Sequence, residues 1–325
     1  LVWLLSFVAA IVPTVFFVWL FWWLDRYEKE PKVLFLGAFL WGAAPAVVLS
    51  LLFESWLTSP LGALSEQVST VLGSTFVAPP VEELAKGAAV WGIYRWARGE
   101  FDGTLDGIVY GAVVGLGFAM VENAFYFASA LQSGGLESFA ALVPVRSIAF
   151  GLNHATFTAF TGVGFARARY GQTRAVRRGA IWAGIGAAIV VHLLHNGLAN
   201  AGLCGVSLLV NWAGVGVVFV VIALSLRRES EWMRDYLREE VTLGVLSAPL
   251  YTLLTTRGAG YRQTLARLHR QGGSQAKLFG RLASDAAELA QKKHQLDRMG
   301  NEQGNLATIA RLRERITQER EQLGI

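Results

Sequence analysis

The chain has 325 residues, of which 53% are hydrophobic and 16% charged, with a formal net charge of +5. A soluble domain carries about a quarter charged residues, so this composition, with a mean hydropathy of +0.41, excludes an ordinary water-soluble globule. A single cysteine, Cys204, excludes a disulfide framework and a thiolate zinc site. Its apolar surroundings read it as a small packing residue.

The charge is unevenly spread. Residues 1–226 hold 12 Lys/Arg against 12 Asp/Glu, whereas residues 227–325 hold 17 against 12. Two regions are therefore expected, a transmembrane domain over 1–226 and a basic, helical, cytoplasmic region over 227–325. A basic tail beside a membrane domain fits contact with the anionic lipid bilayer. No nucleic-acid motif occurs, and no nucleic-acid partner is expected.

In chain order, stretches at 1–24, 33–57, 70–96, 104–130, 139–166, 179–201 and 205–226 are long and apolar enough to span a bilayer as helices. The first is too long for a signal-peptide core and lacks a small-residue cleavage pattern, so it is expected to be a retained span. The fold class is thus all-α, a polytopic integral membrane bundle of about seven transmembrane helices with a helical C-terminal tail. Positive residues cluster in the loop 25–32, the turn 95–103, the loop 167–178 and from Arg227 onward, while 58–69, 131–138 and 202–204 contain none. Positive residues stay inside, which predicts the N-terminus outside and the tail in the cytoplasm. In the tail, 276–298 and 305–323 read as amphipathic helices between Gly-rich breaks, a helical hairpin or short coiled coil.

Ionisable side chains are costly in lipid, so those within spans call for explanation. Span three reads Pro79-Pro80-Val81-Glu82-Glu83-Leu84-Ala85-Lys86. The prolines start a fresh helix turn at membrane depth, which places the glutamates near a positive helix end. Lys86 follows Glu82 by four residues and Glu83 by three, so it can pair with either. Span four carries Glu122 and Asn123, with Phe118 one turn earlier as packing. Span five carries Asn153, His154, Thr156 and Thr158, and span six carries His192, His195 and Asn196. The plainer alternatives are a self-neutralised helix end and interhelical hydrogen bonds. Against them stands a coincidence of level: in the predicted topology Glu82, Glu122, His154 and His192 all lie in the middle to outer half of the membrane.

Carboxylates and imidazoles together can activate water. A glutamate takes the proton while a histidine orients water or protonates the leaving amine, and Asn123 or Asn196 could donate to an oxyanion. Alternatively, Glu82, Glu122, His154 and His192 supply ligands for a divalent metal such as Zn²⁺. The spacing leaves both open, and neither His-Glu-x-x-His nor Gly-x-Ser-x-Gly is present.

The ordered set Glu82-Glu83-x-x-Lys86, Phe118-x-x-x-Glu122-Asn123, His154-x-x-x-Thr158 and His192-x-x-x-Asn196 resembles the motifs of the PrsW intramembrane proteases, a group distantly similar to CAAX prenyl proteases and bacteriocin-immunity proteins. The stretch Asp25-Arg26-Tyr27-Glu28-Lys29-Glu30-Pro31 resembles that group too, and the likeness spans roughly residues 15–200. Lys86 and Glu122 favour PrsW, since the CAAX branch more often has Arg and His there. The resemblance implies cleavage of a single-span membrane protein near its extracytoplasmic side, an anti-sigma factor in the best-known relatives, in a bacterial cytoplasmic membrane. It also implies a catalytic centre of Glu82, Glu83, Glu122, His154 and His192, with Lys86, Asn123, Thr158, His195 and Asn196 in support and His195 ranked below His192. A glutamic mechanism needs no metal. Two other classes compete. One is an ion- or proton-coupled transporter, suggested by the proline-broken helix. The other is a non-catalytic scaffold.

Overall fold

The computed structural model describes residues 1–25, 29–256 and 258–325, with Gln271 and Gln303 described by backbone alone. Arg26, Tyr27 and Glu28, part of the quoted resemblance, lie outside the described residues. The elements are α1 (Val2–Leu24), α2 (Lys32–Trp41), α3 (Val47–Thr58), α4 (Glu66–Leu72), α5 (Ala78–Trp96), α6 (Thr104–Pro144), α7 (Asn153–Arg169), α8 (Arg174–Asn200), α9 (Cys204–Thr242), α10 (Ala248–Thr256), α11 (Ala259–Gln271), α12 (Gly273–Met299) and α13 (Asn305–Leu323). Among the described residues there is no strand. The protein is an all-α membrane helix bundle.

Among the described residues five helical stretches are long and apolar enough to cross a membrane: Val2–Leu24, Lys32–Ala63, Thr104–Arg169, Arg174–Asn200 and Cys204–Thr242. The third runs 66 residues, roughly 100 Å of helix against a hydrocarbon core of about 30 Å. It folds back where Gly135 adopts φ 67°, a left-handed conformation that glycine takes at little cost. The expected span 139–166 is therefore not one helix. Pro144 ends the arm before it, a π turn occupies Val145–Ala149, and α7 starts afresh at Asn153. Two further π turns occupy Gly42–Ala46 and Gly73–Val77. The segment with Glu82, Glu83 and Lys86 falls outside the five apolar stretches because of those charges.

The chain divides into two compact units, one comprising Leu1–Asp25 with Glu30–Ile222 and the other chiefly Ala223–Ile325. In the first, α6 is the centre. From Leu105 to Ala119 every α6 residue but Asp106 is buried, and α1, α2 and α7 pack around it. Small residues permit the closest approach, as in membrane helix pairs generally. A methyl group on Gly107 would sit 2.4 Å from the carbonyl oxygen of Gly162, and one on Gly115 would sit 2.1 Å from that of His154. Large apolar side chains face outward instead, among them Val12, Leu52 and Leu209, as expected where lipid is the solvent.

The second unit has its own core of Leu237, Phe279, Leu282, Leu289, Leu312 and Ile316. The apolar positions of α13, Ile309, Leu312 and Ile316, recur at helical spacing on one face. Glu240 is fully buried there and receives Lys293 at 2.6 Å and Arg313 at 2.8 Å. This assembly of α10–α13 with the end of α9 is more than the expected hairpin. Cys204 is exposed at the start of α9, so the reading of it as a packing residue is wrong.

Gly115→Val is expected to destabilise the first unit by about 1–3 kcal/mol through overpacking of α7, seen as a lower thermal midpoint in detergent. Gly186→Ala, with nothing within 4 Å of the added methyl, should leave the midpoint unchanged or slightly higher. Equal midpoints for both variants would contradict the close-approach account.

Candidate active site

The site begins with the broken helix. The π turn at Gly73–Val77 interrupts α4–α5, and Pro79 and Pro80 occupy the first turn of α5, where a missing N–H costs nothing. One turn later come Glu82, Glu83 and Lys86, all buried. Trp41 Nε1 donates to the carbonyl of Ala85 (3.0 Å) and braces this part of α5 from outside.

Lys86 is fully buried and organises the acids. Its Nζ lies 2.6 Å from Glu83 Oε1 and 3.3 Å from Glu82 Oε2, so it pairs with both glutamates. It also lies 3.0 Å from His154 Nδ1 and 4.3 Å from the centre of the Phe118 ring. Phe118 thus packs against the charge as well as within the core.

Each histidine is held at its outer nitrogen by a carboxylate. His192 Nδ1 is 2.9 Å from Glu83 Oε1, and Thr158 Oγ1 donates to Glu83 Oε2 at 3.1 Å. A carboxylate only accepts, so Nδ1 of His192 carries the proton and Nε2 is free. Nε2 faces Glu82 Oε2 at 3.9 Å. His154 is the mirror case. Its Nε2 is 2.7 Å from Glu122 Oε2, which leaves Nδ1 free to accept from Lys86 and to face Glu82 Oε2 at 3.8 Å. Phe157 stacks on His192 with ring centres 4.7 Å apart.

The inner atoms of Glu82, His154 and His192 all lie within 4.8 Å of one another. Two imidazoles and a carboxylate, with each ring steered by a second carboxylate, fit a divalent ion. Lys86 Nζ shares two of those three residues, so an ion and the ammonium compete there. Of the four expected ligands Glu122 is not in this set, because its carboxylate lies on the far nitrogen of His154.

The remaining expected residues divide. Thr158 serves Glu83, as described. Asn123 accepts from Arg146 Nε (2.7 Å) through its Oδ1. Asn196 Nδ2 donates to the carbonyl of Ser74 (2.9 Å), in the π turn, so its amide supports the helix break. His195 stands apart from the cluster, between Asn153 Nδ2 (2.9 Å) and Ser207 Oγ (2.7 Å). In front of Glu82 and Glu122 opens a cleft of about 600 Å³, walled by α3, the α4–α5 break and α6. Hydroxyls of Ser50, Ser55, Thr58, Ser69, Thr70 and Ser74 line it.

Comparison with known proteins bears on this geometry. Residues 30–226 match the PrsW family, described as intramembrane metalloproteases. The chain belongs to the PrsW family. It is 31% identical over 195 residues to Protease PrsW of Geobacillus kaustophilus (strain HTA426), covering 59% of this chain and 79% of that protein. It is 29% identical over 171 residues to Protease PrsW of Bacillus subtilis (strain 168), covering 51% and 70%. No solved structure matches. The PrsW match contains every site residue above and ends at the tail. The chain is accordingly an intramembrane peptidase.

Two ionisable residues of this PrsW protein escape a reading confined to the polar sets of spans three to six. Glu54 lines the cleft from α3. Arg146, on the π turn before α7, places Nη2 3.1 Å from Glu122 Oε2 and lies 3.7 Å over the Tyr126 ring. With Asn123 it thus grips three residues of one stretch of α6 and sets the carboxylate that steers His154. The signal for both was in plain view, a charge inside an apolar stretch.

Arg146→Gln is expected to slow cleavage of a membrane reporter by about 10–100-fold, the usual cost of losing an outer-shell partner. In a Glu122→Gln background it should cost little more, because the two act as one unit. Rates that fall independently in the double variant would show that Arg146 does not act through Glu122.

Proposed function

We propose that this chain hydrolyses a peptide bond of a single-span membrane protein, entering by the hydroxyl-lined cleft. The observation that carries the reading is the convergence of Glu82, His154 and His192 within 4.8 Å behind a cleft that Glu82 itself lines. Glu82 is the base that takes a proton from a cleft water. Glu83 is a fixed anion that holds His192 and Lys86 in place. The proton that Glu82 gains goes on to the leaving amine, by way of His154 Nδ1, 3.8 Å from Glu82 Oε2, while Glu122 holds Nε2 of that ring and stabilises the imidazolium that forms in passing. Lys86 keeps the excess of carboxylates affordable in lipid. The cleft hydroxyls offer hydrogen bonds to a substrate backbone unwound for attack, which lipid cannot provide.

Glu82, His154 and His192 are also the residues to hold a divalent ion such as Zn²⁺. Such an ion supplies a polarised, more acidic water. A glutamic route runs on the same side chains without it.

The distribution of Lys and Arg supports seven crossings, the N-terminus outside and the tail in the cytoplasm. Family resemblance supports a bacterial cytoplasmic membrane and an anti-sigma-factor-like substrate. Family membership disfavours the transporter and the scaffold.

Glu82→Ala, Glu83→Ala and His192→Ala should each abolish cleavage of a co-expressed single-span reporter while folded protein persists. Full activity in all three would overturn the proposal. Metal content of the purified protein separates the two routes. Near-stoichiometric zinc that falls in His154→Ala and His192→Ala indicates the metal route. Activity in metal-free protein, unaffected by chelator, indicates the glutamic one.

A further inference from the structure

Among the described residues three carboxylates line the cleft, those of Glu54, Glu82 and Glu122, and no lysine or arginine does. Two of them are compensated from behind. Glu82 has Lys86 at 3.3 Å, and Glu122 has Arg146 at 3.1 Å and His154 at 2.7 Å. Glu54 is different. Among the described residues no cation lies within ion-pair distance of it, and its Oε1 has no hydrogen-bond partner. It is the one charged residue of α3, between Leu51-Leu52-Phe53 and Ser55-Trp56-Leu57, where a carboxylate is costly without a partner. The same turns of α3 also bring Ser50, Ser55 and Thr58 to the cleft. Glu54 therefore lines the cleft from α3, and the cleft is where a direct ion-pair partner for it can enter.

We propose that Glu54 is a specificity-determining residue that receives a basic side chain, lysine or arginine, of the substrate segment lying in the cleft. The proposal rests on the proteolytic reading of the site. The complementarity is local. Each carboxylate of the α5–α8 machinery has Lys86 or Arg146 within ion-pair distance, and Glu54 presents the one cleft carboxylate without such a cation among the described residues. A cationic substrate group beside it forms a pair in a medium of low dielectric, whereas an acidic group there meets like charge. Selection then works both by attraction and by exclusion. Glu54 is not among the converging atoms of Glu82, His154 and His192, so its loss should change which substrates are cut more than whether cutting occurs.

The test uses the full-length protein in membranes with a panel of single-span reporters, identical except for one Lys, Gln or Glu moved stepwise through the outer half of the span. Wild type is expected to cut the Lys reporter at one position at least about tenfold faster than the Glu reporter there, since opposite charges attract and like charges repel across a contact shielded from water. Glu54→Gln, nearly isosteric, should flatten that ranking while cleavage of the Gln reporter persists. Glu54→Lys should invert it. An unchanged ranking in Glu54→Gln, or no charge ranking in wild type, overturns the role of Glu54 and leaves the protease reading intact. Should Glu54→Lys fail to accumulate, Glu54→Gln decides alone. Wild type that cuts no reporter, at wild-type abundance, overturns the protease reading and this role with it.

Discussion

An ammonium group with no solvent exposure sits at the middle of this bundle, and the site depends on it. Lys86 lets Glu82 and Glu83 stand side by side on α5 where lipid surrounds the protein. Removing one member of such a buried set leaves the rest uncompensated, typically at a cost of about 3–5 kcal/mol. The arrangement also divides labour between two adjacent acids. Glu83 is saturated by Lys86, His192 and Thr158 and has little left to offer chemically. Glu82, with one cationic contact, a place in the cleft wall and two imidazole nitrogens opposite, keeps the freedom that a base needs.

The helix packing serves that same constellation. Glycines on α6 bring its backbone against α7 at Gly107, Gly111 and Gly115, and the last of these contacts touches the backbone of His154 itself. The ring therefore has its height set by main-chain contact and its rotation set by Glu122 and Lys86. Arg146 then ties Glu122 back to the turn that leads into α7. The loop is closed: α6 positions α7 through glycine, and the entry to α7 positions an α6 carboxylate through a guanidinium.

Much of this was readable in advance because lipid-facing sequence is so uniform that polar residues stand out. The break at Pro79-Pro80, the acids after it and the histidines of α7 and α8 were found on that ground, and helical spacing already allowed Lys86 to reach both glutamates. Spacing could not say which nitrogen of each ring meets which carboxylate, since that depends on rotation between helices distant in sequence. This is why Glu122 was grouped with the inner ligand atoms, although it belongs behind His154. Helix ends were harder still. Pro144 and Gly151 flank a break that hydropathy smooths over, because averaging over a span-length window dilutes Arg146 and Ser147 among apolar neighbours. His195 ranks below His192 on motif grounds, and the structure turns it, three residues further on, toward Asn153 and Ser207.

The π turns carry an implication for how such a chain can vary. Each holds an extra residue inside what is otherwise a helix, at Gly42–Ala46, Gly73–Val77 and Val145–Ala149. Losing one residue from the second would leave a regular, better-bonded helix through the α4–α5 junction. It would also rotate everything beyond it by about 100° relative to what precedes it, which swings Glu82 away from the cleft wall to which Ser69, Thr70 and Ser74 belong. Among relatives, then, a single-residue gap at this junction should track with loss of the chemistry even where every acid and histidine is retained.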